Sequence, residues 1–323
     1  MSRRRRRAAP GLPGPGADTV THVGGLRLGH PVMTASGTAG HGAELGPYVD
    51  LAALGAVVVK SLSADPWPGN PAPRVHETPG GMLNSVGLQG PGVAAWRERE
   101  LPELLDLGAT VVVSIWGTSV DDYRRAAEMV VGAPGAVVAI EANVSCPNHH
   151  DRGRMFAHSV EGTLAAVAAV TGVADRPVWA KLSPNVTDLV TIAAAAHEAG
   201  AAAVTLVNTV MGMVIDVETG RPRLGGRGGG LSGPAIHPVA VRAVWDVHAA
   251  LPELPVVGVG GVTTGVDAVE LMMAGASAVQ VGTASFADPR AVGRIAGEVT
   301  AWCRAHATTV EALIGSAHRG GTP

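Results

Sequence analysis

The densest chemistry in the chain is Asn143-Val-Ser-Cys-Pro-Asn148. It follows an aliphatic run at 136–140 that reads as a central strand. Two amides and a thiol at a strand tip can orient a small polar ligand and move one of its protons. Taken alone, Cys146 would read as a small buried hydrophobe, as most unpaired cysteines are. Other positions overturn that reading. The chain has 24 basic residues, of which only Lys60 and Lys181 are lysine. Each ends an apolar run, Val57-Val-Val-Lys60 and Val178-Trp-Ala-Lys181. A sequence this rich in arginine is expected to keep lysine where a compact point charge serves and a planar fork does not. Asparagine is scarce too. Of six, Asn84, Asn143, Asn148 and Asn208 fall at strand ends or in the loops just beyond.

A second set of residues suits an anion. Gly258-Val-Gly-Gly-Val262 and Val281-Gly-Thr-Ala-Ser285 each end a strand pattern ahead of a helical one. Backbone N–H groups at such junctions bind phosphate, and glycine lets the main chain approach it closely. These residues predict a phosphorylated ligand beside an amide-rich pocket. No His, Cys, Asp or Glu grouping has metal-ligand spacing, so no metal is expected. His149 and His150 are adjacent and read as surface residues.

Positioning these groups takes a scaffold. Short aliphatic strands are predicted at 32–36, 56–60, 110–115, 136–143, 178–182, 203–208, 255–259 and 277–282. Helical patterns follow at 47–54, 93–107, 120–131, 159–171, 187–199, 237–250, 264–274 and 288–305. Strands without alternation imply a parallel sheet buried on both faces. Eight strand–helix pairs at this length predict a (β/α)8 barrel, with a small N-terminal β-hairpin around the Gly24-Gly25 pair and long loops after strands two, four and six. The connections at 61–92 and 209–236 leave the C-terminal rim, where barrels build their sites; the glycine-rich stretch at 225–230 reads as a mobile cover. The expected organisation is an unstructured Arg/Pro/Gly-rich tail at 1–20, a barrel at 21–305 and a C-terminal tail at 306–323. On this scaffold Lys60, Asn143, Lys181 and Asn208 share one rim, with Asn84, Cys146 and Asn148 in the loops above it.

Composition narrows the function classes. Hydrophobic residues make up 46% and charged residues 16%, enough for a large core, yet no run has the ~20 apolar residues of a membrane span. The arginines at 3–7 lead into Pro and Gly, with no apolar segment, which supports no export signal. Net charge is −3, and −8 without those five arginines, so the body is not expected to bind nucleic acid. The two cysteines, Cys146 and Cys303, form no disulfide framework, and Cys303 sits in a helical pattern as packing; a reducing cytoplasm fits.

Over residues 22–300 the sequence resembles the dihydroorotate dehydrogenases, class 1 type B. The resemblance rests on Ala35-Ser-Gly37, Val59-Lys-Ser61, Gly69-Asn-Pro-Ala-Pro-Arg74, Met82-Leu-Asn-Ser-Val-Gly-Leu-Gln89, the 143–148 motif, Lys181-Leu-Ser-Pro-Asn185, Val207-Asn-Thr209, Gly230-Leu-Ser-Gly-Pro-Ala-Ile236, Gly258-Val-Gly-Gly261 and Gly282-Thr283. It implies an FMN-binding TIM barrel that oxidises (S)-dihydroorotate to orotate in pyrimidine synthesis. By the resemblance, Cys146 is the base for the C5 proton and the C6 hydride goes to flavin N5. Asn84, Asn143, Asn148, Asn208 and Thr209, with the backbone of Gly87 and Leu88, match the substrate site. Lys60 matches a catalytic lysine between flavin and substrate, and Lys181 the lysine near flavin N1. Ala35, Ser36, Gly37, Ser61, Ser114, Asn143, Val207, Gly233, Gly260, Gly261, Gly282 and Thr283 match the rest of the FMN site.

The resemblance further implies a homodimer and an iron–sulfur partner subunit carrying FAD and a [2Fe–2S] cluster, since two cysteines cannot hold a cluster here. The membrane-associated class, with a serine base, is disfavoured by Cys146. Three positions depart from the family pattern. Gly90 stands for an Asn, Ser114 for an Asn that ends the third strand, and His158 for a Gly. They leave open a related dihydropyrimidine oxidoreductase with an altered substrate. A non-catalytic flavin-binding partner is a further alternative, against which the intact Cys146 and asparagine set speak.

Overall fold

The structure is a computed structural model that describes residues 19–145 and 155–320. Cys146, Asn148, His149, His150 and the arginines at 3–7 therefore lie outside the described residues.

Eight parallel strands form the centre: β1 (Val32–Thr34), β2 (Val57–Val58), β3 (Val111–Ile115), β4 (Val137–Asn143), β5 (Val178–Lys181), β6 (Ala203–Leu206), β7 (Val256–Val259) and β8 (Ala276–Val281). Each falls within two residues of its predicted N-terminal limit. The sheet runs β1-β8-β7-β6-β5-β4-β3-β2. Its two ends meet: Gly55 N–H donates to Val32 O at 2.9 Å, and Val58 N–H to Thr34 Oγ1 at 2.8 Å. That seam closes the (β/α)8 barrel. Every residue of β3 and β8 is buried, which is why these strands are mostly aliphatic, with Ser114, Ser277 and Gln280 their only polar residues.

Around the barrel lie α1 (Val93–Asp106), α2 (Val120–Glu128), α3 (Val160–Thr171), α4 (Leu189–Glu198), α5 (His237–Ala250), α6 (Gly265–Met273), the one-turn α7 (Ala284–Ala287) and α8 (Ala291–Ala305). Their starts are set locally. Ser119 and Asp122 form a capping box on α2, and Thr264 and Asp267 one on α6, satisfying first-turn N–H groups. Cys303 is buried within α8, as packing.

Inside the barrel, one residue from each strand (Met33, Val58, Val112, Ala139, Trp179, Ala203, Val257, Ala278) packs with Val23 and Leu28 of the N-terminal hairpin. The hairpin pairs Thr21–Val23 with Leu26–Leu28 through Gly24 and Gly25, both at positive φ, and stoppers the barrel opposite the rim.

Four segments differ from expectation. At 47–54 the structure has only a 3-10 turn, Leu51–Ala53, capped by Asp50. Gly46 and Pro47 interrupt the segment, and what remains is too short to nucleate an α-helix. The excursions at 61–92 and 209–236 are not loose loops. Val75–Thr78, Gly81–Asn84, Gly229–Ser232 and Val210–Gly212 join in one four-stranded antiparallel sheet over the rim. The glycines there serve close approach: a Cβ on Gly230 would lie 1.9 Å from Thr209 Oγ1, and one on Gly229 2.6 Å from Asn84 O. Finally, the segment after α8 carries a short helix, α9 (Val310–Leu313), whose Val310 and Leu313 are buried against the body. Among the described residues no helix is long and apolar enough to cross a membrane.

Candidate active site

A cavity of about 390 Å³ opens at the C-terminal rim beneath the antiparallel sheet. Its amide end is a chain of hydrogen bonds. Asn208 Nδ2 donates to Asn143 Oδ1 at 3.1 Å, and Asn143 Nδ2 to Ser61 Oγ at 3.2 Å. Ser61 Oγ in turn lies 2.9 Å from Ser114 Oγ. Thr209 N–H donates to Asn208 Oδ1 at 2.9 Å. Both amides are thus oriented from behind, and Tyr123 Oη anchors the Asn143 carbonyl at 2.6 Å. Asn84 reaches across to Gly230 O at 3.4 Å, a long bond that leaves it available to a ligand.

Gly87 and Leu88 line the same end. Both have positive φ, +72° and +62°. For Leu88 that conformation costs about 1–2 kcal/mol. Such strain collects where backbone groups face ligands. Among the described residues no acceptor takes the N–H of either. Two adjacent free N–H groups suit a carboxylate.

The two lysines do converge. Lys60 lines the cavity, and burial, then the Arg74 guanidinium, lower its pKa from the usual lysine value. Lys181 is 4% exposed; its Nζ donates to Ser36 Oγ at 3.1 Å and to Gln280 Oε1 at 3.3 Å. Ala35, Ser36 and Gly37, after β1, and Val207, after β6, complete this middle section.

At the far end Gly233, Gly260, Gly261, Gly282 and Thr283 form a cradle. Gly260 and Gly261 have φ of +145° and +67°. A Cβ on Gly260 would stand 2.7 Å from Ala240 Cβ, and one on Gly261 2.7 Å from His237 Cβ. Only glycine fits. The N–H groups of Gly261 and Thr283 have no acceptor among the described residues. Thr283 Oγ1 is held by Ser232 Oγ at 2.8 Å.

A statistical model of the family described as "Dihydroorotate dehydrogenase" matches residues 19–302. The chain belongs to the dihydroorotate dehydrogenase family. Among curated relatives of this family, the "Dihydroorotate dehydrogenase B (NAD(+)), catalytic subunit" of Desulforudis audaxviator is 50% identical over 94% of this chain and 98% of its own. The similarly named subunit of Geobacter sp. (strain M21) is 47% identical over 93% and 98%. That of Citrifermentans bemidjiense is likewise 47% identical over 93% and 98%.

Three positions depart from the dihydroorotate dehydrogenase pattern. Ser114 is fully buried, and its hydroxyl meets that of Ser61, which lines the cavity. Gly90 leaves space that His41 takes: a Cβ there would lie 3.2 Å from His41 Nε2. His158 is exposed on the turn Phe156–His158. Cys146 and Asn148 lie outside the described residues, but Ser145 and Met155 on either side both line the cavity. Sequence reasoning passed over Glu141 and Gln280, polar residues inside β4 and β8, and gave no role to Asn185, whose Nδ2 donates to Thr209 O at 3.0 Å. A lone acidic residue within a strand of aliphatics was the available signal.

Proposed function

We propose that this chain is the FMN-dependent catalytic subunit of a dihydroorotate dehydrogenase, oxidising (S)-dihydroorotate to orotate in pyrimidine synthesis. One observation carries the reading: a single cavity joins a preset amide array, two cations and a glycine-only cradle with free N–H groups. The relatives' names point to the same reaction, and to an enzyme in which a further subunit links this one to NAD.

The residues present fit FMN. Gly260, Gly261, Gly282 and Thr283 would hold its phosphate, and the section lined by Ala35, Ser36, Gly37, Lys181 and Val207 would hold its ring. When bound, FMN supplies the two-electron acceptor for the substrate's C6 hydride. The chain's own groups do the rest. Asn84, Asn143, Asn208 and Thr209 orient the dihydropyrimidine ring, and Asn148 completes the set. Gly87 and Leu88 N–H groups, with Lys60, receive the carboxylate and the charge near it. Cys146 takes the C5 proton, so that the C5–H electron pair forms the new ring double bond as hydride leaves C6. The antiparallel cover keeps water out during that step.

The same reading assigns the soluble, cytoplasmic type of enzyme, a homodimer, and an iron–sulfur partner with FAD and a [2Fe–2S] cluster. The test is anaerobic. The purified protein should be yellow, and dihydroorotate should bleach it within seconds while other dihydropyrimidines do not. Cys146→Ser should keep the colour and slow bleaching at least about a hundredfold, the scale of a lost general base. Bleaching by a different dihydropyrimidine would reassign the substrate, and a colourless protein that takes up no FMN would end the reading.

A further inference from the structure

Glu141 is wholly buried in β4, two residues before Asn143. Residues two apart in a strand face the same side, here the barrel interior. Its Oε2 accepts from Gln280 Nε2 at 2.7 Å and from Thr205 Oγ1 at 3.1 Å. Its Oε1 has no hydrogen-bond partner and stands 3.7 Å from Lys181 Nζ. Gln280 closes the arrangement, donating to Glu141 through Nε2 while its Oε1 accepts from Lys181. Two donors on one oxygen and an ammonium opposite the other make this a site built for a carboxylate.

Stability does not explain it. A buried ion pair is weak support for a fold, because desolvation offsets the attraction, and aliphatic residues of similar volume serve as well. The neighbouring positions Ile140 and Ala142 show that this strand is otherwise filled with such residues. What distinguishes position 141 is its cation. Lys181 is the lysine that the proposed function puts against the flavin ring, and Glu141 approaches its Nζ from the barrel interior.

We propose that Glu141 is a positioning residue that sets the charge Lys181 presents to the flavin, and so the ease with which the flavin is reduced. This rests on the flavin reading above. The carboxylate offsets part of the ammonium's field, while Gln280, bonded to both, fixes where the ammonium stands. Removing the negative charge but keeping the shape leaves the cation unopposed, which favours the electron-rich, reduced flavin.

The experiment equilibrates the flavin-loaded protein with a redox dye under slow enzymatic reduction and reads both spectra. Glu141→Gln should shift the reduced-to-oxidised ratio at fixed dye potential about tenfold towards reduced, which is ~30 mV for a two-electron couple. Glu141→Asp, which keeps the charge, should show less than half of that shift. If Glu141→Gln does not fold, Glu141→Leu, which also removes the charge and suits a strand filled with aliphatics, should give a shift of the same sign. An unchanged ratio in a folded, flavin-loaded Glu141→Gln protein, whatever its thermal stability, overturns the proposal, as does a shift of the opposite sign. Wild-type protein that binds no flavin would instead refute the reading beneath it.

Discussion

Ser61 joins the two halves of the amide array, and its removal can be worked through. Its hydroxyl, 3% exposed, meets Ser114 Oγ at 2.9 Å and Asn143 Nδ2 at 3.2 Å. Ser61→Ala strands the Ser114 hydroxyl, which is fully buried, and takes one acceptor away from Asn143 Nδ2. A buried polar group left without its partner costs about 1–3 kcal/mol. Ser61→Ala should therefore lower unfolding stability by about 1.5–4.5 kcal/mol, one stranded hydroxyl at that scale plus about 0.5–1.5 kcal/mol for the hydrogen bond that Asn143 loses. Ser114→Ala alone should cost about 1 kcal/mol, since Ser61 can still be used by Asn143. In the double variant no Ser114 hydroxyl remains to be stranded, so its cost should fall short of the sum by about 1 kcal/mol or more. The ligand site should feel the same change. With Asn143 no longer held at Nδ2, orotate affinity in Ser61→Ala should fall about five- to tenfold, equivalent to 1–1.4 kcal/mol. Urea denaturation measures the first quantity and titration of flavin absorbance with orotate the second. Additive stability costs together with unaltered orotate affinity would show that the chain Ser114–Ser61–Asn143 does not act as a unit.

His30 should make the protein acid-sensitive. Its Nδ1 accepts from Val32 N–H at 3.1 Å and its Nε2 faces Thr300 Oγ1 at 3.2 Å, an arrangement for the neutral ring, and burial lowers its pKa from 6.5 to about 4. The unfolded chain then binds the proton more readily, so stability is lost as pH falls from 6.5 towards 4, by up to about 3 kcal/mol; His30→Gln should lose that much less in paired denaturation curves at pH 7 and pH 4.5. Lys60 should lose its proton at lower pH than a free lysine, so activity that needs the ammonium falls early on the alkaline side. Arg74→Gln removes the second cause of that shift and should move the alkaline limb of kcat/KM upward, whereas Arg74→Lys should hold it in place; burial, the larger cause, persists in both. Gly261→Ala forces a Cβ to within 2.7 Å of His237 Cβ at a φ of +67°, and FMN affinity, read by fluorescence quenching, should fall at least about tenfold, the effect of some 1.4 kcal/mol.

The eight barrel strands were legible because burial on both faces writes itself as short runs dominated by Val, Ile and Ala. The cradle was legible because Gly260 and Gly261 stand at a strand end where no other residue fits. The antiparallel cover was not. Gly81–Asn84 and Gly229–Ser232 are short, one is half glycine, and their pairing spans more than a hundred residues, so no local pattern announces them. A run of glycines looks the same whether it is loose or pressed against backbone, and Gly230 against Thr209 shows the second case. The shorter reach of Ser114 was visible in the sequence, but its partner, the Ser61 hydroxyl, was not, because the two lie more than fifty residues apart. Glu141 escaped notice because a single carboxylate among aliphatics shows its meaning only when β4, β5, β6 and β8 are brought side by side.

The cover has a consequence for how the molecule is made. Asn84 pairs with Gly230, so the strand Gly81–Asn84 leaves the ribosome long before its neighbour exists. Until then one edge of the Val75–Thr78 hairpin is bare, an invitation to pair with another nascent chain. The glycine cradle at β7 and β8 is translated later still. A prematurely terminated product therefore has neither a roofed pocket nor the glycine cradle, and the last quarter of translation decides whether a chain completes its cavity or stays a sticky fragment.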